Sequence, residues 1–203
     1  MEPSLHQALK KSTHGLHLQL EELPINQALA AGQVSLSDFR YILICHQHIW
    51  QQGVEVVNRS NSSCKGYYLE YLGHLQHDLT SIRRYCRNEQ RLPLYTAAST
   101  GGQLHALGIL YVMLGSTLGS RLILQRLKVS NSPVLAYCQH LHFAQKEGLI
   151  TWQSFLKEEL KTPDHGTQIQ VQNSACFIFE QLLQSMKMIK PTASDISETS
   201  QHA

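Results

Sequence analysis

A histidine and a glutamate one helical turn apart are the first candidate for chemistry in this sequence. Within LKKSTHGLHLQLE at residues 9–21, His17 and Glu21 are spaced i, i+4, so on a helix the carboxylate can reach the imidazole. Lys10 lies two turns earlier on the same side. Imidazole binds metals, and a carboxylate beside one ring nitrogen fixes its tautomer. The spacing is compatible with a metal ligand, although a histidine beside an apolar stripe is more often an ordinary surface residue.

A strip of glycines is the second candidate, in LHALGILYVMLGSTLGSRLILQRL at residues 104–127. On a helix, six apolar residues of this stretch fall in one stripe that we expect to face the core: Leu104, Leu107, Tyr111, Leu114, Leu118 and Leu122. Beside that stripe, within about 60° of one another, run Gly108, Val112, Gly115 and Gly119. Each glycine costs a helix interior roughly 0.8 to 1 kcal/mol. The strip therefore predicts close approach of a partner helix or of a flat ligand, and for this helix alone the partner helix is the more common cause.

Two further sets of residues could bind a metal or act as nucleophiles. Glu70, His74, His77 and Asp78 share a helix face with metal-ligand spacing, although a hydrated outer face is the favoured interpretation. The five cysteines are widely spaced without a CxxC pair, which argues against a disulfide framework and a cysteine zinc site. We expect a protein of the reducing cytoplasm.

Composition limits the classes of partner. Charged residues make up 16% of the 203 residues and the net charge is +2, so we expect neither a nucleic acid nor an anionic membrane as partner. The N-terminal MEPSLHQALKK lacks an apolar core of a signal peptide, and no run reaches the 18 or more apolar residues typical of a membrane span. We predict one domain over residues 1–189 and a disordered tail over residues 190–203.

Helical periodicity covers the chain and predicts an all-α fold, with no strand pattern. The predicted helices span residues 4–22, 25–31, 35–59, 67–87, 104–127, 133–142, 145–160 and 168–188. Pro24 ends the first helix, Gly32 the second, and Ser35 with Asp38 opens the third. Such a set of helices is typical of a single multi-helix bundle.

Two of these helices resemble the proximal and distal helices of the heme oxygenases, most closely the bacterial branch associated with bacteriophytochromes. The proximal pattern L-K/R-x-x-T-x-x-x-H-x-x-x-E is matched by Leu9, Lys10, Thr13, His17 and Glu21. The distal pattern L-G-x-L-Y-V-x-x-G-S-T-L-G-G is matched by Leu107, Gly108, Leu110, Tyr111, Val112, Gly115, Ser116, Thr117, Leu118 and Gly119. Weaker similarity extends through Trp152, Phe155 and the final helix. Both motifs occur in the family's order and at its separation.

The resemblance implies an all-helical fold with heme b between the first helix and a kinked, glycine-containing distal helix. It implies that His17 binds the iron, that Glu21 orients its ring, and that Lys10 meets a propionate. Gly115 and Gly119 would let the distal backbone close over the porphyrin, with Ser116 organising water there. Tyr111 and Ser120 would also contact the heme.

The implied reaction converts heme, with O2 and electrons from a ferredoxin or a flavin reductase, to biliverdin, carbon monoxide and ferrous iron. A bacteriophytochrome would be the implied recipient of biliverdin. The chain departs from the family pattern at three places. Ser116 stands where the animal enzymes have an aspartate, Ser120 replaces the last glycine of the motif, and Trp152 to Phe155 lacks the usual basic residues for the second propionate.

Three alternative functions remain open at this stage. A heme carrier of the same fold with little ring cleavage is compatible with the three departures. A non-heme metal oxidase would use Glu70, His74, His77 or Asp78 together with carboxylates from other helices. A thiaminase-like hydrolase would need a nucleophilic cysteine beside a base.

Overall fold

The chain folds as an all-helical bundle, as the periodicity predicts. The computed structural model describes residues 4–85, 104–161 and 164–188, and these residues contain no strand. The α-helices are α1 (Leu5–Glu21), α2 (Pro24–Ala31), α3 (Leu36–Arg59), α4 (Lys65–Arg83), α5 (Ala106–Thr117), α6 (Ser120–Val129), α7 (Gln139–Ser154) and α8 (His165–Lys187). A 3-10 turn, Pro133–Tyr137, precedes α7, and a π turn, Phe155–Glu159, follows it.

Local sequence sets most of the helix ends. Ser4 caps α1 by accepting a hydrogen bond from the Gln7 amide, and the Gln7 side chain accepts one from the Ser4 amide in return. Ser35 caps α3 by accepting from the amide of Asp38, as predicted. Gly32 ends α2 with a φ of 74°, a conformation that suits glycine. These side-chain caps satisfy amides that the helices themselves leave unpaired.

The predicted boundaries are wrong at two places. Residues 104–127 do not form one helix, because the chain turns at Leu118 and Gly119 between α5 and α6. The predicted helices 133–142 and 145–160 are instead the 3-10 turn, α7 and the π turn. The predictions for Cys86, for the loop with Pro93 and for the C-terminal tail lie outside the described residues.

The core lies around α3 and α8. Helix α8 packs against α1, α3 and α5, while α4 packs against α3 and α7. The largest fully buried side chains include Trp50, Phe39, Tyr68 and Phe155, and the Tyr68 hydroxyl donates a hydrogen bond to the Trp50 carbonyl. This arrangement presents the first helix and the glycine-containing helix to the same partner, α8.

The apolar stripe predicted for residues 104–127 faces the core only in part. Leu118 and Leu122 are 44% and 54% exposed. The buried residues of α5 are instead distributed around most of its circumference and include Ile109, Leu110, Met113 and Leu114. Because α5 packs against α3, α7 and α8, its buried surface is wider than one stripe.

The segment Ala106–Val129 passes the length and hydropathy test for a membrane span, contrary to the expectation that no such run exists. Half of its most apolar window is buried inside the bundle, and the turn at Leu118 and Gly119 interrupts it. A core helix of a globular protein passes the same test.

Candidate functional site

On helix α1, His17 lies at the surface, whereas Thr13, one turn earlier on the same face, lies in the core. The His17 side chain is 53% exposed, and its Nδ1 lies 3.5 Å from Glu21 Oε1. The ring meets Phe179 of α8 edge to face, with centroids 5.9 Å apart. One turn earlier, Thr13 is buried and donates to the Leu9 carbonyl at 2.8 Å. The predicted pairing of His17 with Glu21 is present.

The two stretches that carry the resemblance meet in space. The hydroxyl of Tyr111 on α5 lies near the Thr13 side chain on α1, close enough for Thr13 to oppose the rise that burial causes in the tyrosine pKa. His17 lies one turn after Thr13, and Gly115 lies one turn after Tyr111. His17 and Gly115 are 98 positions apart in the sequence. They lie on two helices that approach each other at Thr13 and Tyr111, one turn before each of them.

An aromatic cluster around Tyr111 belongs to the same region and was not predicted. The Tyr111 ring lies 5.5 Å from the ring of Trp152 and 6.2 Å from that of His6, measured between centroids. His6 is also 6.0 Å from Trp152. The spacing of His6 to His17, eleven residues, places both on one face of α1 and is the sequence signal that could have identified it.

The glycine strip divides into two parts with different surroundings. A Cβ built at Gly108 would lie 2.5 Å from the Val171 carbonyl oxygen and 2.7 Å from Ser174 Cβ, both on α8. A Cβ at Gly115 would meet only the Trp152 ring, at 3.9 Å, and one at Gly119 only Ile123 Cδ1, at 4.0 Å. The strip as a whole is therefore not a ligand surface: Gly108 serves helix packing, whereas Gly115 and Gly119 leave backbone accessible.

The two serines of the distal motif also differ in their surroundings, since one is exposed and the other is buried. Ser116 is exposed, and its hydroxyl donates to the Met113 carbonyl at 2.7 Å. Ser120 is only 1% exposed and donates to the Thr117 carbonyl at 2.6 Å. Because its side chain turns into the protein, Ser120 lies apart from the exposed surface formed by Gly115 and Gly119, and its contact with a ligand stays a prediction.

Lys10 lies exposed on α1, on the predicted side of the helix. This position agrees with the spacing, and the contact with a propionate that the resemblance implies stays a prediction.

The candidate metal face of α4 is not a hydrated outer face throughout. Asp78 is 1% exposed, and its Oδ2 accepts hydrogen bonds from His140 Nδ1 at 2.7 Å and from the His140 amide at 2.9 Å. Burial by itself raises the pKa of Asp78, but these hydrogen bonds and the His140 charge bring it below the ordinary value. Within the described residues no three His, Cys, Asp or Glu side chains could hold a metal ion. Nothing here favours the non-heme oxidase.

The described cysteines lack the environment of a nucleophile. Burial raises the pKa of Cys45 and of Cys138 to about 12 and that of Cys64 to about 11. Burial also raises the pKa of Cys176, whose thiol donates to the Ser12 carbonyl at 3.6 Å. Thiols of this kind are mostly protonated near neutrality, so these four positions give the hydrolase no support.

No known protein-family model matches the chain, and no curated protein matches it in sequence.

Proposed function

We propose that this protein binds heme between α1 and the surface at Gly115 and Gly119, and cleaves it to biliverdin, carbon monoxide and ferrous iron. The reaction would use O2 and electrons from a separate donor such as a ferredoxin or a flavin reductase. The observation that carries the proposal is that Tyr111 of the distal motif lies against α1, with its ring 6.2 Å from that of His6 and its hydroxyl near Thr13, because this brings the two motifs together.

On this proposal His17 supplies the single protein ligand to the iron. The Glu21 carboxylate near Nδ1 favours the tautomer with the proton on Nδ1, which leaves Nε2 with a lone pair for the metal. Lys10 would bind a propionate at the surface. Heme is at once the substrate and the group that activates oxygen.

The accessible backbone at Gly115 and Gly119 supports a flat ligand there. No side chain projects from either Cα, so a porphyrin could approach the backbone to a distance that any Cβ would forbid. Tyr111 lies against α1 beside this surface. An exposed imidazole, a cation on the same side of α1 and accessible backbone on α5 are thus compatible with heme.

A heme carrier with slow ring cleavage is the second candidate, and Ser116 is the observation that favours it. The Ser116 hydroxyl proton is engaged by the Met113 carbonyl, which leaves only lone pairs to accept a hydrogen bond from water. An aspartate at this position could relay protons as an anion, and the serine cannot. The same residues would then bind heme without efficient turnover.

The experiment that separates the two candidates is product analysis. The hemin complex is reduced with a reductase system or ascorbate in air, with catalase present to remove free peroxide. Biliverdin by chromatography together with carbon monoxide supports the enzyme. Reduced heme that persists without either product refutes the enzyme and supports the carrier, whereas absence of a hemin complex refutes both.

A further inference from the structure

A groove of about 530 Å³ lies between α6, the 3-10 turn and α7. Its floor is apolar, with Leu124 buried and Leu135 half-buried. Its rim carries cationic and ionisable side chains from two helices, namely Arg121, Lys128 and His142. Grooves of this volume between the helices of a bundle are common sites for small molecules.

The α6 wall of the groove has a regular pattern. Arg121, Leu124, Gln125 and Lys128 follow i, i+3, i+4, i+7 spacing, so they form one face of α6 with a cation at each end. The two cations stand two turns apart, about 10 Å along the helix. A ligand whose hydrocarbon lies over Leu124 could therefore place a carboxylate on either cation.

The cations of this groove have no counter-charge in the described part of the chain. Neither Arg121 nor Lys128 forms an ion pair there, and none of the groove's lining residues is acidic. Exposed cations usually have water as their partner, but here they border an apolar floor that water solvates poorly. A carboxylate joined to a hydrocarbon body would satisfy both parts of the groove.

We propose that this groove binds an amphipathic carboxylate of the size of a medium-chain fatty acid. The hydrocarbon chain lies over Leu124 and Leu135, and the carboxylate meets a cation of the rim. A guanidinium matches a carboxylate with two parallel hydrogen bonds, which makes Arg121 the stronger anchor. The site goes beyond the heme chemistry and shares no lining residue with the surface around His17.

The test is calorimetric titration of the full chain with dodecanoate, below its micellar concentration. We expect saturable binding of one equivalent that weakens as salt is added, because charge attraction contributes. The double variant Arg121→Gln/Lys128→Gln should bind about tenfold more weakly, given that charge-assisted hydrogen bonds are lost. The matched control is Lys65→Gln/Lys187→Gln, which removes two exposed cations elsewhere and should bind as the parent chain does. Dodecyltrimethylammonium, with the same chain length and the opposite charge, should not bind.

A second variant tests the apolar floor and guards against a fold defect. Leu135→Asp should weaken dodecanoate binding while the helical circular dichroism and the hemin titration stay unchanged. Equal affinity in the two double variants would overturn the proposal, as would displacement of dodecanoate by hemin, since the fatty acid would then occupy the proposed heme site. The Arg121→Gln/Lys128→Gln variant is also titrated with hemin and should bind it as the parent chain does. The groove proposal and the heme proposal are thereby tested separately, because either can fail alone.

Discussion

At the scale of single residues, the surroundings of His17 decide which ring nitrogen is free for the ligation that we propose. Glu21 lies near Nδ1, and Phe179 meets the ring plane at its edge. Both contacts restrict rotation of the imidazole without covering it, since about half of the side chain is exposed. A histidine so held is oriented for ligation and yet contributes little to the stability of the fold.

We therefore predict that His17→Ala abolishes the histidine-ligated absorption spectrum of the hemin complex and leaves the melting temperature within about 2 °C of the parent, as a surface substitution should. The control is His14→Ala on the same helix, where the parent side chain is also exposed. Its complex should keep the parent spectrum. Loss of the spectrum in His14→Ala but not in His17→Ala would show that the ligand is assigned to the wrong residue.

Ser116 offers only acceptor capacity to a water, since its proton is given to Met113. We predict that Ser116→Ala slows biliverdin formation by less than the roughly 10²-fold that a true acid or base contributes. Gly119→Leu should stop biliverdin formation, because the new side chain fills the space beside the Gly119 backbone that we assign to heme. Initial rates under saturating reductant measure both. A loss of several hundredfold in Ser116→Ala would mean that the hydroxyl relays protons after all.

At the scale of helices, the turn at Leu118 and Gly119 divides one apolar segment into a buried helix and a partly exposed helix. Helix α5 before the turn is buried against α3, α7 and α8, and α6 after it keeps one face in water and contributes the groove. Gly108 lets α5 approach α8, while Gly115 lies where the protein leaves room. One glycine pattern in the sequence thus has two physical causes.

This division predicts opposite effects of one substitution at two positions. Gly108→Ala should lower the free energy of unfolding by about 2 kcal/mol, because its Cβ would overlap the α8 backbone. Gly115→Ala should keep or raise it by up to about 1 kcal/mol, because alanine favours the helix. Urea denaturation of the heme-free proteins measures both. Similar losses at both positions would indicate that the whole strip packs against protein.

The bulkier Gly115→Leu tests the ligand side of the same argument. We expect it to abolish hemin binding while the heme-free protein remains helical and melts near the parent temperature, because only the edge of Trp152 borders the site. Melting that falls as far as in Gly108→Ala would instead assign Gly115 to packing.

The sequence predicts the helices better than it predicts their contacts. Periodicity and caps such as Ser35 and Gly32 locate helix ends because those signals are local. No proline or capping side chain marks the turn at Gly119, and both of its residues keep right-handed helical dihedrals, so periodicity alone predicts one continuous helix and only the resemblance implies a kink. The pairing of Asp78 with His140 joins residues 62 apart. Which side of α4 is buried depends on α7, so a single helix pattern could not identify it.

At the scale of the whole molecule, the bundle buries ionisable groups in its interior on three helices. Asp78 of α4 pairs with His140 of α7, next to the ring of Tyr71. His46 of α3 adds a second imidazole, which is half-buried as a residue but whose Nδ1 is inaccessible and has no hydrogen-bond partner within the described residues. Burial, together with a smaller effect of the nearby His140, lowers the pKa of His46 to about 4. The fold therefore requires His46 to be neutral.

Acid should consequently destabilise the whole bundle in a defined window. The unfolded chain binds a proton at His46 with a pKa of 6.5, whereas the folded chain does so only near 4, so stability is complete above about pH 6.5 and falls as pH drops toward 4. Linkage limits the loss from this residue to roughly 3 kcal/mol. Burial also lowers the pKa of His140, which adds to the loss in the same direction.

We predict that His46→Phe, which keeps an aromatic ring beside Trp50, removes a large part of this acid sensitivity. Urea denaturation at pH 7.5, 6.5, 5.5 and 4.5, values that bracket the window set by linkage, measures the free energy of unfolding. The parent should lose stability between pH 6.5 and 4.5 and the variant clearly less, because the interior then contains one fewer group to protonate. The control His165→Gln replaces an exposed histidine and should follow the parent curve. Parallel curves for the parent and His46→Phe would place the acid-sensitive group elsewhere, with the Asp78 and His140 pair as the next to test.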